Sequence, residues 1–220
     1  MLLDNIKSYK EHELKQYVIA NALVFLLAHK FIDFSDTANI ELIQAILSIV
    51  GTSLLASVIY IFTILIDGII SDEMKVKLLN LFFLSLPGER IFTEIRRKNK
   101  DSRFTTTEVM EKYSDIYANF PSEKSSKQYE NSKWYAIYSK YRNESMIFYS
   151  NREYLLLRDM YVSTMVIIAI YGVVNLFLQG SIFSATYMLY LVGLLIVTNI
   201  STHIKAKRFV YNVIALDIHK

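Results

Sequence analysis

From Met160 to Ile204 the chain runs 45 residues without Asp, Glu, Lys or Arg. That is too long for one core helix and long enough for two membrane crossings at ~20 apolar residues each. Gln179-Gly180-Ser181 supplies the polar break between them. The pattern predicts crossings over about Met160–Leu178 and Ile182–Ile200. A third uncharged block, Leu42–Ile66, ends at Asp67. An earlier block, Val18–Ala28, is followed by His29 and Lys30 before Phe31, Ile32 and Phe34. It predicts a crossing whose Lys30 snorkels to the headgroups, or else a re-entrant helix.

Residues 71–159 carry a different pattern. Leu79, Phe82, Phe83 and Leu86 share one helical face, which Pro87-Gly88 stops. A short helix with Ile91, Phe92 and Ile95 follows. Thr105 and Glu108 have capping-box spacing ahead of Val109, Tyr113, Ile116, Tyr117 and Phe120, with Pro121 ending that element. Ser122–Ser132 is polar and reads as a loop or frayed helix. Trp134, Ile137, Tyr138 and Tyr141 form another apolar face, and a helix from about Arg152 leads into the third crossing. After the fourth, Phe209, Val210, Val213 and Ile214 predict an amphipathic tail along the membrane or beneath the bundle. No segment shows strand alternation.

The expected fold is therefore all-α: an integral membrane protein with four transmembrane helices in two hairpins. A helical cytosolic domain is inserted between helices 2 and 3. The boundaries are 1–70 for the N-terminal segment and first hairpin, and 71–159 for the cytosolic domain. The second hairpin takes 160–200 and the tail 201–220.

Charge adds a direction. Of 24 Lys and Arg, three lie in 1–17, one in 28–41, sixteen in 71–159 and four after 202. Basic residues beside crossings stay inside. Both termini and the central domain are thus expected in the cytoplasm, in a multi-pass protein of the cell inner membrane. The net charge of +3 is too small to argue for direct nucleic-acid binding.

Two places invite a functional reading. Gln44, Ser48, Thr52, Ala56, Tyr60, Thr63 and Asp67 are spaced by three or four residues, so the second crossing has one small or polar face. Lipid offers hydroxyls no partner, so this face should meet protein or water. It predicts close packing, a pore lining in a homo-oligomer, or both. Asp67 reads as a solvated boundary carboxylate or an ion-pathway residue. Arg96, Arg97, Lys98, Lys100 and Arg103 form the densest basic run. It reads as a loop beside anionic headgroups, or, with Trp134, as a surface for a cytosolic partner protein or a nucleotide signal.

Catalytic chemistry is sparse. There is no cysteine, which excludes disulfides, thiolate metal sites and thiol catalysis. The histidines His12, His29, His203 and His219 have no metal-ligand spacing, and six glycines include no phosphate-cradling loop. No cofactor, metal or catalytic residue is expected. A membrane-bound enzyme would rest on Asp67, Asp72 and Glu73. A transporter subunit would want broken crossings, whereas no predicted crossing contains proline.

The layout, cysteine-free, four-crossing and with a helical cytosolic insert, resembles small membrane effector or accessory proteins of prokaryotic anti-phage systems. The likeness is architectural and assigns no residue a role. It implies an oligomer that permeabilises the inner membrane when a cytosolic sensor or partner triggers it.

Overall fold

The computed structural model describes residues 2–29, 51, 53, 57, 60–61, 69–80, 87–121, 123–179 and 182–220. Its regular elements are all helical: α1 (Leu2–Ala28), α2 (Asp72–Asn80), a 3₁₀ turn (Pro87–Arg90), α3 (Ile91–Arg97), α4 (Thr106–Lys112), α5 (Ser114–Ala118), α6 (Glu123–Tyr141), α7 (Ser145–Phe177) and α8 (Ala185–His219). No strand occurs among the described residues. Among the described residues two helices, α7 and α8, are long and apolar enough to cross a membrane. Their uncharged stretches, Met160–Phe177 and Ala185–Thr202, each rise ~27 Å at ~1.5 Å per residue.

The chain divides into two compact units. One takes Leu3–Lys75 and Leu156–Asn199, the other Val76–Leu155 and Ile200–Lys220. Helices α7 and α8 contribute to both, passing from one to the other without a break.

The second unit has a dense aromatic core. Ile91, Phe92 and Ile95 of α3 are fully or almost fully buried. The capping box forms as the spacing predicts. Thr105 Oγ1 accepts from the Glu108 amide at 3.2 Å, and Glu108 Oε2 accepts from the Thr105 amide at 2.6 Å. The apolar face behind it breaks at Tyr113, giving two short helices where one was expected.

Of the two readings open for the polar stretch before Trp134, loop or frayed helix, the helical one holds: it is helical from Glu123. Two long-range anchors explain why. Tyr129 donates its hydroxyl to the Ile116 carbonyl at 3.2 Å. Buried Glu130 accepts from the Thr93 amide at 3.0 Å and from the Thr93 hydroxyl at 2.6 Å. The carboxylate thus fills an orphan donor in the first turn of α3.

Burial pushes the Glu130 carboxyl above its usual range, against the opposing pull of the Thr93 bonds. Ionisation therefore costs more in the fold than in the unfolded chain. Glu130's contribution is greatest below the unfolded carboxylate range and declines as pH rises toward the raised value. Glu130→Gln keeps an acceptor for Thr93 and should remove this pH dependence. Glu130→Ala strands the Thr93 amide and should destabilise α3 by ~1–3 kcal/mol. Amide hydrogen exchange of α3 across mildly acidic to neutral pH tests both.

Residues 201–220 include the helical face that the spacing of Phe209, Val210, Val213 and Ile214 predicts. They continue α8, and Phe209, Val210, Val213 and Ile214 are buried in the core of the second unit. Helix α7 starts at Ser145, earlier than the expected Arg152, because Ile147 and Phe148 also reach buried positions.

In the first unit, Ile167, Tyr171, Tyr187 and Leu191 form the buried cluster, with Val24 and Phe25 packed against it. Much of the outer surface is apolar. Leu176 is 81% exposed, Phe177 83% and Leu189 73%. In water such a surface is a liability; in hydrocarbon it costs nothing.

After α7 the backbone at Gln179 turns left-handed, with φ 51°. Such a position suits glycine, which has no Cβ to clash there. Gln179→Gly is expected to stabilise the α7–α8 hairpin by ~0.5–1 kcal/mol, readable as slower local hydrogen exchange.

Candidate functional site

The most organised polar feature of the first unit lies inside it. On α1 and the turn that ends it, Tyr17, Asn21, Phe25 and His29 are spaced by four, so they fall along one winding face. Thr164 and Tyr171 of α7 and Tyr187 and Tyr190 of α8 meet that face, and together they form a polar-aromatic seam.

Hydrogen-bond directions in the seam can be derived. Thr164 donates its only hydroxyl hydrogen to the Met160 carbonyl at 2.8 Å. At its 2.7 Å contact with Tyr17 it must therefore accept, so Tyr17 is the donor. Asn21 turns its amide nitrogen to the Tyr17 carbonyl at 2.8 Å. That leaves its oxygen to accept from the Tyr190 hydroxyl at 3.2 Å.

At the other end, the Tyr171 hydroxyl donates to the Ile182 carbonyl at 3.1 Å and accepts from the Ser184 amide at 2.7 Å. His29 places Nε2 2.7 Å from the same Ile182 carbonyl and 3.2 Å from the Tyr171 hydroxyl. Its Nδ1 sits 2.8 Å from the Phe25 carbonyl. Rings of Phe25, Tyr171 and Tyr187 surround the imidazole with centroids 4.2–5.8 Å away. Helix α1 is thus tied to the α7–α8 turn by side chains that would be costly to leave unpartnered in hydrocarbon.

Thr164, Tyr171, Asn175 and Tyr190 belong to no motif in the sequence. The four-residue spacing on α1 was the available signal. It was hidden because Phe25 interrupts the polar set, and because the partners on α7 and α8 are remote in sequence.

Of the stripe predicted on the second crossing, Gln44, Ser48, Thr52, Ala56, Thr63 and Asp67 lie outside the described residues. Tyr60 is helical and half-buried. The first apolar block is a helix that ends at Ala28, with His29 in a turn; Phe31, Ile32 and Phe34 lie outside the described residues.

The basic run is exposed at Arg96, Arg97, Lys98, Lys100 and Arg103. Arg96 and Arg97 end α3, where cations suit the helix dipole. The loop that follows is folded. Asn99 donates to the Asp101 and Phe104 carbonyls at 2.9 and 2.5 Å and accepts from the Asp101 amide at 3.0 Å. Arg103 pairs with Asp101 at 2.6 Å, and its hydrogen bonds hold the Asp101 carboxyl below the usual range.

Trp134 corrects the expectation of a receiving surface. It is 6% exposed, lying in the core between Tyr138, whose ring is stacked at 5.6 Å, and Phe209, edge-on at 5.4 Å. Its position on the apolar face of α6 puts the indole where burial of a large side chain stabilises most. Only the basic side chains remain on that surface.

No protein family, curated protein or solved structure matches this chain. The site therefore rests on its own chemistry. Among the described residues no group of three His, Asp or Glu could hold a metal ion. The seam offers hydroxyls, amides and one imidazole, a set suited to holding helices in register.

Proposed function

We propose that this chain is a multi-pass inner-membrane protein, crossing four times with both termini and the second unit in the cytoplasm. In this reading it assembles as a homo-oligomer and carries out no chemical transformation. The second unit receives a partner protein or a nucleotide signal, and the crossings respond by changing membrane permeability, in the manner of anti-phage effectors.

One observation carries the reading. Helices α7 and α8 run unbroken from the aromatic core of the second unit into stretches that suit hydrocarbon. A helix transmits displacement along its axis because every turn is tied to the next. A binding event that repacks the core around Phe209 and Trp134 would shift both rods. The concentration of Lys and Arg in 71–159 and after 202 supports the cytoplasmic placement. The continuity of α7 and α8 also weighs against a transporter with discontinuous helices.

The test is membrane potential, followed with a voltage-sensitive dye in cells expressing the chain under its trigger. The triple variant Ser48→Leu, Thr52→Leu and Thr63→Leu should reach the membrane at wild-type levels and abolish the depolarisation. Unchanged ion flux in that variant removes the second crossing as the lining. Steady solute uptake by untriggered cells would favour a transporter instead.

A further inference from the structure

Charge is unevenly divided along the chain. The second unit holds eighteen Lys and Arg against eleven Asp and Glu, so it attracts anions. On its surface Arg96, Arg97, Lys98 and Lys100 are exposed, and among the described residues none of the four pairs with a carboxylate. We propose that these four side chains bind an extended acidic segment of a soluble partner protein through its Asp and Glu carboxylates. The inference rests on the reading of the second unit as the receiving part, and it narrows the signal to a protein.

The loop presents its cations in a fixed order. Lys98 has an extended backbone, with φ −162° and ψ 100°. Asn99 turns its side chain to the Asp101 and Phe104 carbonyls, while Lys98 and Lys100 on either side of it are exposed. Residues two apart on an extended chain are spaced by ~7 Å, which is also the spacing of alternate carboxylates on an extended acidic chain. Arg96 and Arg97 continue the run from the last turn of α3. Arg103 takes no part, because Asp101 already neutralises it at 2.6 Å.

Other anions fit less well. A phosphate, free or on a nucleotide, is held by converging backbone N–H groups. Here those groups are spent. The amide of Lys98 bonds the Glu94 carbonyl, that of Asp101 bonds Asn99, that of Arg103 bonds Asp101 and that of Thr105 bonds Glu108. Trp134 is buried and offers no platform for a base. Anionic headgroups are distant. Lys207 pairs with Glu94 at 2.7 Å, and His219 donates to the Arg103 carbonyl at 2.8 Å. Those two α8 residues lie ~10 and ~28 Å along the helix axis from Ile200, where the proposed crossing ends. In an upright α8 the run between Glu94 and Arg103 is therefore beyond the ~8 Å over which exposed charges act at physiological salt.

The experiment measures the fluorescence anisotropy of fluorescein-labelled octaglutamate added to the full-length chain in phosphatidylcholine nanodiscs. Saturable binding is expected at ~50 mM salt, weakening ~10-fold by ~300 mM. The combined Arg96→Gln, Arg97→Gln, Lys98→Gln and Lys100→Gln variant should bind ~10-fold more weakly or worse. The combined Lys127→Gln, Lys133→Gln, Lys140→Gln and Arg142→Gln variant removes the same charge elsewhere on the unit and should bind within ~2-fold of wild type.

Equal loss in the two variants is a general charge effect and overturns the proposal. Competition on the wild-type chain needs no variant to fold. Oligothymidylate, ATP or phosphatidylglycerol vesicles that displace the probe at a lower concentration of negative charge than unlabelled octaglutamate also overturn it. Membrane potential separates this inference from the proposed function. A chain that depolarises cells under its trigger but does not bind octaglutamate loses this inference alone. A chain that binds octaglutamate through these four residues without changing membrane potential keeps it and loses the permeability reading.

Discussion

Trp134→Ala is expected to destabilise the second unit by ~3–5 kcal/mol, the range for truncating a buried aromatic side chain. The indole fills the space between Tyr138 and Phe209, and its Nε1 donates to the Val210 carbonyl at 3.4 Å. The backbone at Gly88 closes over it so tightly that a Cβ there would lie 2.9 Å from the indole ring. Truncation therefore removes contacts from α6, α8 and the turn before α3 together. The surrounding helices cannot collapse into the gap without moving Gly88.

A solvent-facing tryptophan would give a change within ~0.5 kcal/mol. The two readings thus differ several-fold in a single measurement. Trp134 is the chain's only tryptophan, so the variant must be followed by circular dichroism or hydrogen exchange. Trp134→Phe should recover part of the loss. A melting curve unchanged by Trp134→Ala would return the residue to the surface and leave the core without its centre.

The second large effect is functional. Helix α8 passes from one unit to the other at Asn199–Ile200. Ile200 is 53% exposed, so losing its side chain costs little. Proline at this position removes a helical hydrogen bond and clashes with the preceding turn, at ~3 kcal/mol or more. Ile200→Pro is expected to leave the chain in the membrane while abolishing triggered depolarisation. Ile200→Ala, which keeps the helix, should retain the response. Full depolarisation by the proline variant would show that α8 does not carry the signal, and the proposed coupling would then have to run elsewhere.

Several elements were legible in the chain because their causes are local. The capping box at Thr105 and Glu108 needs only two side chains within one turn. Ile91, Phe92 and Ile95 mark a buried face by their spacing alone. The stretch from Glu123 to Ser132 was only half legible. Its composition left loop and frayed helix both open, and the helix is held by Tyr129 and Glu130 reaching Ile116 and Thr93, partners that no local window contains. Trp134 was misread for a related reason. An aromatic residue at helical spacing can face a core or a partner equally well, and only the arrival of Phe209 from α8 decides between them.

The uncharged runs of α7 and α8, their length against a bilayer and the absence of thiol chemistry follow from the amino-acid sequence itself, since hydrocarbon and water sort residues by composition. Tertiary structure alone decided that 201–220 completes the aromatic core. It also decided that Tyr17, Asn21 and His29 meet Thr164, Tyr171 and Tyr190 in one seam. Those outcomes depend on which distant faces come together, and a hydrogen bond exists only once both partners have been brought within about 3 Å.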